Sequence, residues 1–199
     1  MSEQTSKGKV VVVVAPSGSG KTTIARRLLK DISRLKFSVS ATTRPPRRGE
    51  VDGKDYHFLS KDEFQKHIDK GDFLEWEEFY NGKRYGSLRP EIDKQLKKGY
   101  FILFDVEVKG AVNIKKAFGE RCLSIFIRPP SIDELKQRLQ KRGTEDDKTL
   151  AERLERAKME LEYEKQFDVS IVNDNLEKAY ASVKSLVQSF IYNNKVHSS

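Results

Sequence analysis

Val10–Val14 is an uninterrupted apolar run, and Ala15-Pro16-Ser17-Gly18-Ser19-Gly20-Lys21-Thr22 follows it directly. Five valines without a polar break read as a strand buried on both faces. From Thr23 the pattern becomes helical. Gly18 and Gly20 permit a tight turn in which successive main-chain N–H groups point at a common centre. A helix N-terminus adds partial positive charge at the same place. This is a phosphate-binding loop of the small-x4-Gly-Lys-Thr type, set between a strand and a helix as its chemistry demands. Lys21 would reach the β- and γ-phosphates of a nucleotide, and the Thr22 hydroxyl would ligate Mg²⁺.

Other residue groups have spacings that suit the same chemistry. Tyr100–Phe104 is an apolar strand ending at Asp105, the place where such proteins hold Mg²⁺ directly or through water. Glu107 lies two residues on and faces the same side if the chain stays extended. In Ser40-Ala41-Thr42-Thr43-Arg44-Pro45-Pro46-Arg47 the prolines favour polyproline II geometry, so Arg44 and Arg47, three apart, can turn toward one phosphate. Tyr56 and Tyr85 carry hydroxyls that could join them. Arg138 and Arg142 are four apart on a helix, with Leu135 and Leu139 on another stripe, and Arg153 opens the next helix. Three arginines on a helical hairpin can close over a polyphosphate.

The rest of the chain must position these groups. Strands near residues 9, 37, 100, 122 and 169 alternate with helices, which predicts an α/β fold with a parallel sheet flanked by helices. Phe37–Ser40 is expected to be a strand, and 41–60 a structured loop with a strand near Asp55–Phe58. Capping boxes at Ser60–Glu63 and Ser131–Glu134 predict helices over 61–70 and 132–142. Further strands are expected over 73–80 and 84–86 around an Asn81-Gly82 turn, and further helices over 90–98, 109–118, 149–164 and 176–192. Two segments differ from the alternating core: a strand-rich insertion over about 41–96 and an arginine-rich helical one over about 130–159. The core would then comprise about 8–40, 97–129 and 160–192.

Composition narrows the setting. The chain has 199 residues, 38 Lys and Arg against 30 Asp and Glu, and a net charge of +8. That excess suits anionic ligands, and no basic run with interleaved aromatics suggests nucleic acid. Cys122 is the sole cysteine, so no internal disulfide can form; it falls in a strand and is expected to be packed. Met1–Lys9 lacks the apolar stretch of a signal peptide, and no run is long enough to cross a membrane. A cytoplasmic setting is expected. His57, His67 and His197 show no metal-ligand spacing. Whether the chain is a monomer or a homo-oligomer stays open.

Taken in order, Ala15–Thr22, Ser40-x-Thr42-Thr43-Arg44-x-x-Arg47-x-Gly49-Glu50-x-x-Gly53-x-Asp55-Tyr56, Glu75-Trp76 and Tyr85-Gly86-Ser87 resemble the guanylate kinase family. Arg138-Leu139-x-x-Arg142-Gly143-Thr144-Glu145 and Val172-Asn173-Asp174 extend the match over about 8–190. The resemblance implies Mg²⁺-dependent transfer of the ATP γ-phosphoryl group to GMP, and use of dGMP as well. It implies an ATP site at Ala15, Pro16, Ser17, Gly18, Ser19, Gly20, Lys21 and Thr22, with Asn173 near the adenine. Arg44, Arg47, Tyr56 and Tyr85 would hold the GMP phosphate. Ser40, Glu75, Ser87 and Glu107 would read the guanine. Lys21, Arg44, Arg138, Arg142 and Arg153 would serve catalysis, and Thr22 and Asp105 the metal. Three positions depart from the family pattern: Ala15 for glycine, Asp105-Val106-Glu107 for Asp-x-Asp, and Lys109-Gly110 for Gln-Gly. Two other readings share many of these features. A non-enzymatic module on the same fold would tend to lose Lys21 and the arginines of the hairpin, and a related kinase would take another phosphorylated acceptor.

Overall fold

The computed structural model describes residues 8–79, 81–141 and 147–192. Arg142, Gly143, Thr144, Glu145 and Tyr80 lie outside the described residues, as do His197 and most of the Met1–Lys9 segment.

Five strands form a parallel sheet: β1 (Val10–Val14), β2 (Leu35–Phe37), β7 (Phe101–Phe104), β8 (Cys122–Arg128) and β9 (Val169–Val172). Their order is β2-β7-β1-β8-β9, and every pairing is parallel. Between β2 and β7 come β3 (Ala41–Thr42), β4 (His57–Phe58), α2 (Lys61–Asp69), β5 (Phe73–Glu78), β6 (Arg84–Leu88) and α3 (Arg89–Lys97). The other helices are α1 (Lys21–Asp31), α4 (Val108–Phe118), α5 (Ile132–Lys141), α6 (Asp147–Glu162) and α7 (Leu176–Tyr192).

The valine run explains the layering. Val11 and Val13 pack with α1 and α7 residues Leu28, Tyr180 and Val183, whereas Val10, Val12 and Val14 pack with Ile92, Ala111 and Ile114 of α3 and α4. Side chains alternate across a strand, so a strand apolar at every position needs cover on both faces. Each helix supplies one apolar stripe to that cover. In a sheet of this order β1 is flanked by connections that run in opposite senses. The crevice beyond its carboxyl end is therefore the expected ligand position.

The strand expected over 37–40 is two strands in two sheets. Leu35–Phe37 pairs with β7, while Ala41–Thr42 belongs to a second sheet of order β4-β3-β6-β5. Between them, the Ser38 N–H donates to the Leu103 carbonyl (2.9 Å) and the Ser40 carbonyl accepts from the His57 N–H (2.9 Å), so the chain crosses from one ladder to the other within three residues. Sequence alternation registers two β segments of this kind as one. The Ser60–Glu63 capping box forms in both directions, and the Ser131 hydroxyl accepts from the Glu134 N–H at 3.1 Å. Cys122 is buried, with burial pushing its thiol up to about 12, which fits a packing role.

Candidate active site

The crevice beyond β1 divides into two cavities. One, of about 330 Å³, is walled by Ala15, Pro16, Ser17, Gly18, Gly20, Lys21, Thr22 and Thr23, with Arg153, Arg156 and Glu160 of α6 opposite. The other, of about 470 Å³, lies under the second sheet and is lined by Ser40, Asp55, Tyr56, Glu75, Tyr85 and Asp105 among others. Lys21 and Glu107 line both.

The first cavity is built from main chain. Gly18 and Gly20 have φ of 91° and 93°, the left-handed region that suits glycine. Space is as restrictive as torsion. A Cβ on Gly20 would lie 2.5 Å from the Asn173 amide nitrogen, and one on Gly18 would lie 2.9 Å from Leu135. Leu135 and Leu139 are fully buried, so the apolar stripe of α5 packs onto the loop. Asn173 is only 4% exposed, and its amide donates to the Ser19 carbonyl at 2.8 Å. The Asn173 carbonyl in turn accepts from Arg138 at 2.9 Å. Asn173 and Arg138 therefore brace the loop from behind, and Arg138 is further held by Glu134. Ala15 is 9% exposed and packs into the core, so an alanine is accommodated at that position.

Lys21 forms an ion pair with Asp105, at the end of the adjacent strand β7. Thr22 is in the first turn of α1 and lines the loop cavity. One hydroxyl and one carboxylate suit Mg²⁺, which keeps waters and takes phosphate oxygens as further ligands. Among the described residues no group of three or more His, Cys, Asp or Glu is placed to form an all-protein cage.

The second cavity is built from side chains that the sheet register brings together. Glu75 pairs with Ser87 across β5 and β6, and the Ser87 hydroxyl donates to Glu75 Oε1 at 2.7 Å. A bulge between Phe73 and Glu75 breaks the alternation of β5. Phe73 stacks on Phe64 at 4.4 Å, whereas both Leu74 and Glu75 approach α4. Gly110 makes room there, because a Cβ on it would lie 2.9 Å from Glu75 Oε2. Desolvation raises the Glu75 pKa, and the Ser87 hydrogen bond offsets part of this. Ser87 itself is fully buried behind Glu75 and is not part of the cavity wall.

Arg44 is held rather than displayed. It is 6% exposed, and two parallel bonds of 2.7 and 2.8 Å join it to Glu50. A third donor goes to the Pro45 carbonyl, and the guanidinium lies 5.0 Å from the Tyr56 ring centroid. Its hydrogen bonds to Glu50 raise its already high pKa and lower that of Glu50 to about 2. Arg47 is exposed. The bidentate pair to Glu50 thus draws Arg44 inward, while Arg47 stays exposed beside it.

Arg156 and Glu160 belong to the loop cavity although the motifs do not mark them. Arg156 donates to Glu107 (2.7 Å) and to Glu160 (3.0 Å). The sequence signal was available: Arg153 and Arg156 are three apart and Glu160 follows four later, so all share one helix face.

A parallel sheet of this order, with a glycine-rich turn and lysine after its central strand and an acid-lined pocket beside it, is the arrangement of an α/β protein with a phosphate-binding loop. The family model for guanylate kinase matches residues 7–190. A guanylate kinase of Chlorobium chlorochromatii is 52% identical over 184 residues, 92% of this chain and 96% of its own length. One of Bacteroides fragilis is 47% identical over 188 residues, 94% of this chain and 92% of its own. Among solved structures, guanylate kinase from Anaplasma phagocytophilum aligns with a TM-score of 0.71 at 30% identity, covering 94% of this chain and 88% of that one. The chain belongs to the guanylate kinase family.

Proposed function

We propose how this guanylate kinase divides the reaction ATP + GMP ⇌ ADP + GDP between its two cavities. The observation that carries the assignment is that Lys21 lines both, so a γ-phosphate seated by the loop would face an acceptor held under the second sheet. Residues Ala15–Thr22 would bind the ATP phosphates through main-chain N–H groups, with Asn173 holding the loop in shape through the Ser19 carbonyl. Thr22 and Asp105 would hold Mg²⁺, which when bound neutralises charge on the β- and γ-phosphates.

GMP would occupy the second cavity. Guanine offers a ring N–H and an exocyclic amine on one edge, and the Glu75 carboxylate can accept both. Adenine lacks that pair and would leave a desolvated carboxylate unmatched, a penalty of the kind that yields about 10⁴-fold discrimination. Ser87 orients Glu75, and Ser40 and Glu107 complete the wall around the base. Arg44 and Arg47, with Tyr56 and Tyr85, would bind the acceptor phosphate. Glu50 holds Arg44 ready, so little rotamer freedom is lost when the ligand arrives.

The acceptor oxygen is already anionic, so no general base is required. Catalysis is positioning plus charge stabilisation by Lys21, Arg44, Arg138, Arg142 and Arg153. In this reading residues 41–96 are the acceptor-binding part and 130–159 a lid that excludes water. No described helix is long and apolar enough to cross a membrane, and a cytoplasmic setting is part of the proposal. An ADP-release assay across GMP, dGMP, AMP, CMP and UMP tests it. Turnover confined to GMP and dGMP is expected, and equal turnover of AMP would overturn the role of Glu75.

A further inference from the structure

Arg156 stands at the boundary of the two cavities. Its helix partner Glu160 is 13% exposed, which fixes the guanidinium beside the loop. Its other partner, Glu107, lies across the crevice at the N-terminus of α4. Glu107 and Arg156 are 46% and 52% exposed, so their ion pair is weak and readily exchanged. Glu107 and Lys21 are the two residues that line both cavities, and Lys21 is itself occupied by Asp105. Lys21 and Arg156 thus each have a carboxylate partner with which an anionic ligand would compete.

We propose that Glu107 and Arg156 are a positioning pair that couples the two nucleotide sites. This rests on the reading that the loop cavity takes ATP and the other takes GMP. A triphosphate at the loop offers Arg156 a stronger partner than a half-exposed carboxylate. Arg156 moves to it, and Glu107 is released toward the second cavity, where it accepts from the purine amine. In reverse, GMP recruits Glu107 and frees Arg156 for the triphosphate. The pair is broken once, by whichever nucleotide binds first, so the second binds more tightly. Linkage requires the factor to be the same in both directions. The methylene by which Glu107 exceeds an aspartate supplies the reach to Arg156.

Calorimetric titration of the full chain with GMP, with and without saturating β,γ-imido-ATP and Mg²⁺, tests the coupling. In the native protein the ATP analogue should tighten GMP binding by about five- to tenfold. Arg156→Met should bind GMP alone more tightly than the native chain and lose the dependence on the analogue. General structural damage would not produce that gain. Arg156→Lys should keep part of the coupling. Glu107→Asp, which keeps the charge and shortens the reach, should lose it. Native-like coupling in both Arg156→Met and Glu107→Asp overturns the inference and leaves the site assignment intact, as does an absence of coupling in a native chain that binds both ligands. A native chain that binds neither nucleotide overturns the assignment and the inference together.

Discussion

On the loop side of Lys21 the cavity wall is a turn of contiguous chain, and on the sheet side it is side chains gathered from separate strands. The loop wall is drawn from the nine-residue stretch Ala15–Thr23, with Ser19 buried beneath it, and is held from behind by Asn173, Leu135 and Leu139. The sheet wall gathers Ser40, Tyr56, Glu75 and Tyr85, which are separated by up to 45 residues and meet only because β3, β5 and β6 pair in a particular register. Main-chain N–H groups recognise charge and shape and are the same for every triphosphate. Side chains can match the edge of one base. On the proposed reading the two walls divide the problem: the loop would bind any similar phosphate, and the sheet would choose the acceptor.

That division predicts opposite failures. Glu75→Ala should remove the discrimination between GMP and AMP, a loss of about 10⁴-fold in the ratio of their kcat/KM values, while KM for ATP changes little. A native-like preference for GMP in that variant would break the comparison, since the base would then be read elsewhere. Lys21→Met should lower kcat by about 10²- to 10³-fold for every acceptor and leave the preference among them unchanged. A change in acceptor preference there would show that the walls are not independent.

The same contrast explains what the sequence made legible. The loop is local: strand, turn, lysine and helix are contiguous, so spacing alone disclosed the chemistry of Ala15–Thr22. The parallel core followed from alternation of apolar strands and helices. The second sheet was poorly legible, because β3 and β4 are two residues long and their pairing is set by tertiary contacts. Glu75 gave no signal of its own. Its aim depends on the bulge, which defeats the period-2 rule by turning Leu74 and Glu75 toward the same helix. Only the resemblance marked it. Ser87 was expected at the base and lies behind Glu75 instead, a distinction of depth that no one-dimensional pattern records. Arg156 was missed for a different reason: its helix face was readable, but no motif drew attention to it.

Gly110 sharpens the comparison at smaller scale. Gly110→Ala places a Cβ only 2.9 Å from Glu75 Oε2, inside van der Waals contact. The carboxylate must shift, and KM for GMP should rise on the order of tenfold, with ATP binding unaffected. Steady-state kinetics with each substrate varied in turn separates the two effects. An equal rise in KM for ATP would mean that α4 itself had moved.

Two acids of the insertion are shifted in opposite directions, and pH can tell them apart. Burial raises the Glu75 pKa, so its proton returns at a higher pH than on an ordinary glutamate. Protonated Glu75 cannot accept both guanine donors. KM for GMP should therefore climb as the pH falls through that raised value, before KM for ATP responds. Glu50 behaves inversely. Its hydrogen bonds to Arg44 and to the Arg47 N–H hold its pKa at about 2, against an ordinary 4.5. A lowered carboxylate pKa adds stability that is complete above 4.5 and is lost as the pH falls toward 2. Glu50→Gln removes that contribution and leaves the amide at the same place. The gap between the native and Glu50→Gln urea midpoints should be widest near neutral pH and close as acid titrates the pair. Because Glu50 is solvent-accessible, the gap is small, and a gap that stayed constant through the window from 4.5 to 2 would show that Arg44 is positioned by its aromatic neighbours Tyr56 and Phe58 instead.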